Sequence, residues 1–317
     1  MAALQSFPNA RPLAIFAGYL ATAAMLTMAC LAMIVRPARP RRHGSALAMA
    51  LFSLLAALSL ASTWYYMFSF FHSSYLDWKT AQHLPPHAPL RLGDWLRDSA
   101  LFKQAWAATL QTPGRAFWAL QIFGFCANWS LTLAVQGTRK GIARLWVFVL
   151  LGQVVAISFA MNLSFLAMLS HASGPTKHVK TKADANESKA RPSRGRDAAS
   201  LTCQYALLGV SIALGLALPD TFSSPRFMWL LMIPHILAFA SLLLPTSLRC
   251  SEVPWLAKLA SQLVIVAFAT TRLTSYGDAA DALFAHPAVS SVGSDVLCCW
   301  LSYAAWYLMG EAESNSG

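Results

Sequence analysis

The chain has 317 residues, of which 56% are hydrophobic and only 12% charged, and it carries a formal net charge of +11. That charged share is about half the usual one for a soluble domain. With the charges gathered between long apolar runs, it excludes an ordinary soluble fold, because stretches of about 18 or more apolar residues read as membrane-spanning helices. The Lys and Arg stand beside those runs, so lipid headgroups rather than nucleic acid are the expected counter-charge, and the six Cys show no C-x-x-C spacing of the kind that marks a zinc or redox site.

The pattern predicts an all-α polytopic membrane helix bundle, one domain over residues 1–317 with eight spans. The first runs from about Leu13 to Val35. It is too long for the apolar core of a cleaved signal and reads as a spanning helix or signal anchor. It ends at Arg36-Pro37-Ala38-Arg39-Pro40-Arg41-Arg42, which cannot continue a helix. The second, Ala46 to Phe71, closes on an aromatic cluster that includes Trp64, Tyr66 and Phe70 and suits a membrane interface. A polar connection follows from His72 to Pro113. Within it, Gly93 to Trp106 has helical spacing, with Trp95 and Trp106 on one face, and is expected to lie on the membrane surface as an amphipathic helix.

Span three covers Arg115 to Val135 and span four Leu145 to Leu169. His171 to Ser200 holds seven Lys or Arg and two His, and is expected to be a disordered basic loop. Span five covers Leu201 to Leu218, and span six Phe227 to Leu244 with Pro234 inside. Span seven runs from Trp255 to Leu273, with Lys258 near its end, where it can snorkel. Span eight runs from Val292 to Met309, and Glu311 to Gly317 form a polar tail. The Lys and Arg counts on the two sides conflict with the Arg-rich short loops, so orientation stays open. No internal repeat of the kind found in many transporters is evident.

Ionisable groups within a bilayer mark function by default, and only 13 residues are acidic. If Pro287 occupies the first helical position, Asp295 lies about 12 Å into the last helix and faces a protein cavity. If the helix starts near Ser291 or Ser294, Asp295 is a first-turn dipole partner. Asp77, Asp94 and Asp98 flank the surface helix beside Trp78 and Trp95. A carboxyl desolvated by apolar rings has a raised pKa and suits a general acid; capping and solvation are the plainer roles. Glu252 and Asp278 read as solvated and Asp220 as a turn residue. Gln121, Asn128 and Thr132 share one face of span three, Ser158 and Asn162 one face of span four, and His235 follows Pro234. Interhelical hydrogen bonds explain each singly; together they imply a polar-lined space. Asn128 and Asn162 head N-x-S sequons inside spans and Asn186 heads one outside. The chain has no D-D-x-x-D, H-E-x-x-H, G-x-S-x-G or P-loop, so no metal and no cofactor is expected.

One set of segments carries a resemblance. It comprises Asp94-Trp95-Leu96-Arg97-Asp98 with Leu101-Phe102 and Ala105-Trp106, then Trp118 with Gln121-Ile122-Phe123, then Leu151-Gly152-Gln153 through Ala160 with Asn162-Leu163. His286-Pro287-Ala288-Val289-Ser290-Ser291-Val292-Gly293 with Asp295 completes it. With these the chain resembles a family of fungal multi-span proteins that includes the membrane terpene cyclases of ascochlorin and ascofuranone biosynthesis. It departs from the pattern at Gln136, where Glu would be expected. The resemblance implies a meroterpenoid cyclase acting on a lipophilic farnesylated aromatic compound with a terminal epoxide. A carboxylic acid, Asp295 with Asp98 as partner and Asp77 and Asp94 in reserve, would protonate the epoxide. Trp64, Tyr66, Trp118, Gln121, Asn128 and Asn162 would bind substrate, the aromatic faces attracting the cation. It further implies an endoplasmic reticulum or other endomembrane setting and association with a pathway prenyltransferase and epoxidase. A small-molecule transporter or a ligand-free scaffold fits the residues as well.

Overall fold

The structure, a computed structural model, describes residues 9–37, 46–171, 194–221, 224–245, 248–249 and 251–315, and among them it is all-α, with no strand. Among the described residues four helices are long and apolar enough to cross a membrane: α1 (Ala10–Val35), α2 (Ala46–Ala81), the helix from Pro113 to Gly137 and the stretch Asp197–Ala217. Two later helices bent by 96° at a short break would make a fifth if they form one span.

The Pro113–Gly137 helix is the axis of the bundle. Its most apolar window is 94% buried, against 17% for α1. After the short helices α3 (Leu92–Asp98) and α4 (Leu101–Leu110), α5 (Pro113–Thr132) starts where Thr112 Oγ1 accepts from Arg115 N with Pro113 in the first turn, an arrangement that satisfies one open amide and uses a residue with none to offer. It continues into a π-helical turn, Leu133–Gly137. Around it pack α4, α8 (Arg194–Ala217), α9 (Phe227–Leu243), α10 (Trp255–Thr271), α11 (Tyr276–Ala285) and α12 (Pro287–Asn315), while α2, α12 and α7 (Ile157–Ser170) form a second closely packed group. Large apolar side chains such as Met28, Leu54, Trp229, Ile236 and Leu263 stay exposed on the outside, as a bundle solvated by lipid tails would show them.

Several boundaries differ from those read in the sequence. α2 runs ten residues past Phe71, through the expected connection, because Tyr75 packs edge-on against Trp95 at 5.9 Å and Trp78 Nε1 donates to Asp98 at 3.2 Å. The single surface helix is two helices, α3 and α4, parted where Ser99 is extended. Trp95 is buried, with its Nε1 donating to Ser74 Oγ at 3.3 Å, so α3 docks on α2 instead of presenting an apolar stripe outward. Span four is also two helices, α6 (Trp146–Val154) and α7. Residues 194–200 belong to α8 rather than to a loop, and the remainder of the expected disordered segment, 172–193, lies outside the described residues. α11 replaces the last connection, started by a capping box of Ser275 and Asp278, so Asp278 is not simply solvated. α12 begins at Pro287 and extends to Asn315, taking in most of the expected tail.

Candidate functional site

The break between α6 and α7 organises the site. At Ala156 the chain is extended, and α7 starts with no cap from its own N-cap side chain. Its first amides would be orphaned. A side chain from α12 satisfies them: Ile157 N donates to Asp295 Oδ2 at 3.0 Å and Ser158 N to Asp295 Oδ1 at 2.7 Å. Asp295 is only 7% exposed. Because α12 starts at Pro287, the first of the two sequence readings holds, and Asp295 is well inside its helix. It is nonetheless a helix cap, for a different helix. The opposite side of the break is held as well, since Tyr19 Oη of α1 donates to the Val154 carbonyl at 3.1 Å.

Asp295 borders a cavity of about 980 Å3, and among the described residues it is the one acid lining it. The stripe Thr63, Met67 and Phe70 of α2 forms one wall, and Trp106 of α4 with Phe123 of α5 another, their rings stacked at 5.4 Å. His235 sits against both rings, at 5.6 and 5.9 Å, and its Nδ1 lies 2.9 Å from the Leu231 carbonyl. A carbonyl can only accept, so Nδ1 carries the proton and the ring, when neutral, keeps Nε2 as its acceptor. Gln153, whose amide donates to Cys126 Sγ at 3.2 Å, adds a polar edge. The cavity reaches the surface beside the start of α1 and the α3–α4 junction, where the exposed Arg11, Arg97 and Phe102 line it. A volume in this range accommodates a drug-sized ligand.

The other acids expected at the site are elsewhere. Asp98 accepts from Arg97 Nε at 2.9 Å and from Trp78. The Arg97 hydrogen bond, with that from Trp78, holds its carboxyl below the ordinary carboxylate value, which corrects the raised value expected from neighbouring rings. Asp94 is lowered too, by hydrogen bonds from Asn9 and Arg91. Asp77 is exposed on the extension of α2. None of the three lines the cavity, although Arg97, which pairs with both Asp94 and Asp98, does. Trp64 and Tyr66 turn away from the stripe that faces it.

Trp118 donates to the Ala279 carbonyl at 2.8 Å, and Gln121 receives Trp300 Nε1 at 3.1 Å. Asn128 bonds Ser261 at 3.1 Å and Asn162 bonds the Ser158 carbonyl at 2.8 Å. Trp118, Gln121 and Asn128 spend these atoms on contacts between helices, as buried amides in membranes commonly do, whereas the Asn162 bond lies within α7 and its Oδ1 is buried without a partner. Sequence reasoning missed Tyr19, Gln153 and Trp106 as cavity residues and weighed His235 only as an interhelical donor. Gln153 and Trp106 do lie within the segments of the resemblance.

A second polar cluster surrounds Lys258. It does not snorkel: it is 3% exposed, and its Nζ meets Glu252 Oε1 at 2.7 Å and Thr132 Oγ1 at 2.6 Å. Glu252 is therefore not a solvated loop acid, and Gln136, on the π-helical turn, donates to both its oxygens at 3.0 Å. Asp220 receives two bonds from Arg272, at 3.0 and 2.8 Å. Among the described residues no three His, Cys, Asp or Glu converge to hold a metal ion. Compared with known family models, curated proteins and solved structures, the chain matches none.

Proposed function

We propose that the chain is a multi-pass endomembrane protein of about eight spans, and that it is a terpene cyclase which opens the terminal epoxide of a lipophilic prenylated aromatic compound. One observation carries the reading: a single buried carboxylate, oriented by two backbone amides, borders a large and mostly apolar cavity. A substrate of this kind enters from the bilayer and needs little from the wall except an acid, a base and aromatic faces.

In its neutral form Asp295 keeps both amide bonds through its two oxygens and offers its O–H to the epoxide. The proton goes to the epoxide oxygen as the carbon–oxygen bond breaks, and an alkene or hydroxyl of the substrate closes the ring on the carbon left electron-poor. Trp106 and Phe123 stabilise the cation by their π-faces. Neutral His235 accepts the final proton at Nε2. The product is an isomer of the substrate, and the net proton count is unchanged once His235 gives up the proton it took and Asp295 regains one, by exchange with water. Asp98 does not contact Asp295; its place in this scheme is to hold Arg97 at the cavity mouth.

Membranes containing the protein should convert an epoxyfarnesyl phenol into a product of equal mass. Asp295→Asn should lower the rate about 10²-fold or more, the range for a lost general acid, and His235→Phe should lower it while the protein accumulates normally. Unchanged turnover in both variants would sink the assignment.

The discontinuous α6–α7 helix favours one second reading, a small-molecule transporter, since such helices line transporter sites. Here the helix N-terminus is already occupied by Asp295, so the cargo would not be an anion bound there. Flux across reconstituted vesicles without chemical change would decide for it.

A further inference from the structure

The charges that line the Asp295 cavity are sorted by depth, and α1 supplies the ruler. Arg11, Ile15, Phe16 and Tyr19 all line the cavity, and eight residues of helix part Arg11 from Tyr19, a rise of about 12 Å. Tyr19 marks the inner end, because its Oη bonds the Val154 carbonyl at the break that Asp295 closes. Arg11 marks the outer end, in the first turn of a helix long and apolar enough to cross a membrane. Between them the wall is apolar: Ile15 and Phe16 follow on α1, and Phe71 of α2 stands edge-on to Phe16 at 5.6 Å.

The inner end carries an acid and, among the described lining residues, no Lys or Arg; the outer end carries two Arg. The two are not equivalent. Arg97 is compensated, since it pairs with Asp94 at 3.2 Å and Asp98 at 2.9 Å and donates to Asn9 Oδ1 at 3.4 Å. Arg91 also pairs with Asp94, at 2.7 Å, so two Arg answer two Asp. Arg11 is the charge left over. It is exposed, and it makes no hydrogen bond or ion pair among the described residues. The start of α1 is open as well. Asn9, its N-cap, gives its side chain to Asp94 and Arg97 and caps none of the helix's own amides, and the first turn holds no acid. An uncapped helix start is electropositive, and a guanidinium fork can take a carboxylate in two parallel bonds.

The geometry points to a ligand with an anionic head at Arg11 and an apolar tail that runs past Phe16 to Asp295: a prenylated aromatic acid whose ring carboxylate stays at the membrane surface. An anion is disfavoured at the inner end, where it would meet Asp295, so the head group also decides which end of the molecule reaches the acid. This deepens the cyclase reading, on which the prenyl tail rests, by naming the head group of its substrate. An anionic lipid offers the same head chemistry, and the test separates the two.

The full chain in phosphatidylcholine nanodiscs is given labelled 4-farnesylbenzoate and, separately, its methyl ester, with binding counted against empty nanodiscs. Neither probe carries an epoxide, so binding is read apart from turnover. The carboxylate is expected to bind saturably and about tenfold more tightly than the ester, the worth of one charge-assisted hydrogen bond. Arg11→Gln should remove that preference and leave the ester unchanged; because Arg11 has no partner among the described residues, the substitution leaves the packing of the helices intact. Labelled dioleoyl phosphatidate is the third probe, and no binding that depends on Arg11 is expected of it. Equal affinity for acid and ester, or a preference that survives in Arg11→Gln, would overturn the proposal. So would phosphatidate binding that depends on Arg11 and exceeds that of the benzoate, which would assign the mouth to a lipid headgroup. A preference for the acid without turnover of its epoxide would sink the cyclase reading and leave the head-group site standing.

Discussion

The molecule holds two carboxylates in different ways, Asp295 buried and Glu252 half-buried. Asp295 faces a large cavity and is held by two backbone amides. Glu252 lies at the far end of α5, held by a lysine and a glutamine side chain. The partners of Asp295 carry no full charge, so protonation leaves its bonds in place. Those of Glu252 include a buried cation, and losing either member strands the other. The first arrangement can exchange a proton; the second fastens the end of the π-helical turn to α10.

The largest expected effect is on the second cluster. Lys258→Met takes the cation from Glu252 and leaves it only the Gln136 amide, which should destabilise by about 3 kcal/mol, the low end for a broken buried pair because Glu252 is partly exposed, whereas Lys258→Met with Glu252→Gln should recover most of that loss. A double variant no more stable than the single one, measured by thermal unfolding in detergent, would show that the pair is not a closed unit. Next comes Asp295→Ala, which orphans the Ile157 and Ser158 amides at about 1–3 kcal/mol each. Asp295→Asn keeps one acceptor oxygen and should cost less. Equal stability of both with wild type would mean that the α6–α7 break needs no cap.

The smallest effect concerns Asp98. Its carboxyl is depressed below the ordinary value of 3.8, so its contribution is present at neutral pH and is lost only as pH falls through the lower folded value. Asp98→Asn should therefore weaken docking of α3 slightly at pH 7 and make no difference in strong acid. Amide exchange in 92–98 reads this directly, and a large loss of cyclisation in the same variant would return Asp98 to the chemistry.

The apolar runs made most helices legible, because a bilayer demands length and hydropathy that a sequence displays openly. The α6–α7 break was hidden: Val154-Val155-Ala156 contains neither Gly nor Pro, and the interruption depends on Tyr19 and Asp295, both distant in sequence. The extension of α2 was hidden by polarity, since His72 to Ala81 reads as a connection until Trp95 packs on Tyr75. Asp295 could be singled out because Pro287 marks a helix start. Lys258 was misread because proximity to a helix end says nothing of which way a long side chain turns.

The cap on α7 also sets an order of events. Asp295 lies 138 residues beyond Ile157, so a ribosome finishes α6 and α7 long before the residue that closes their break exists. Until α12 is made, the nascent protein holds two half-helices, the second with open amides at its start, and the cavity wall forms only when the last helix joins α2 and α7. A chain interrupted before Asp295 would contain every earlier helix and still lack that wall.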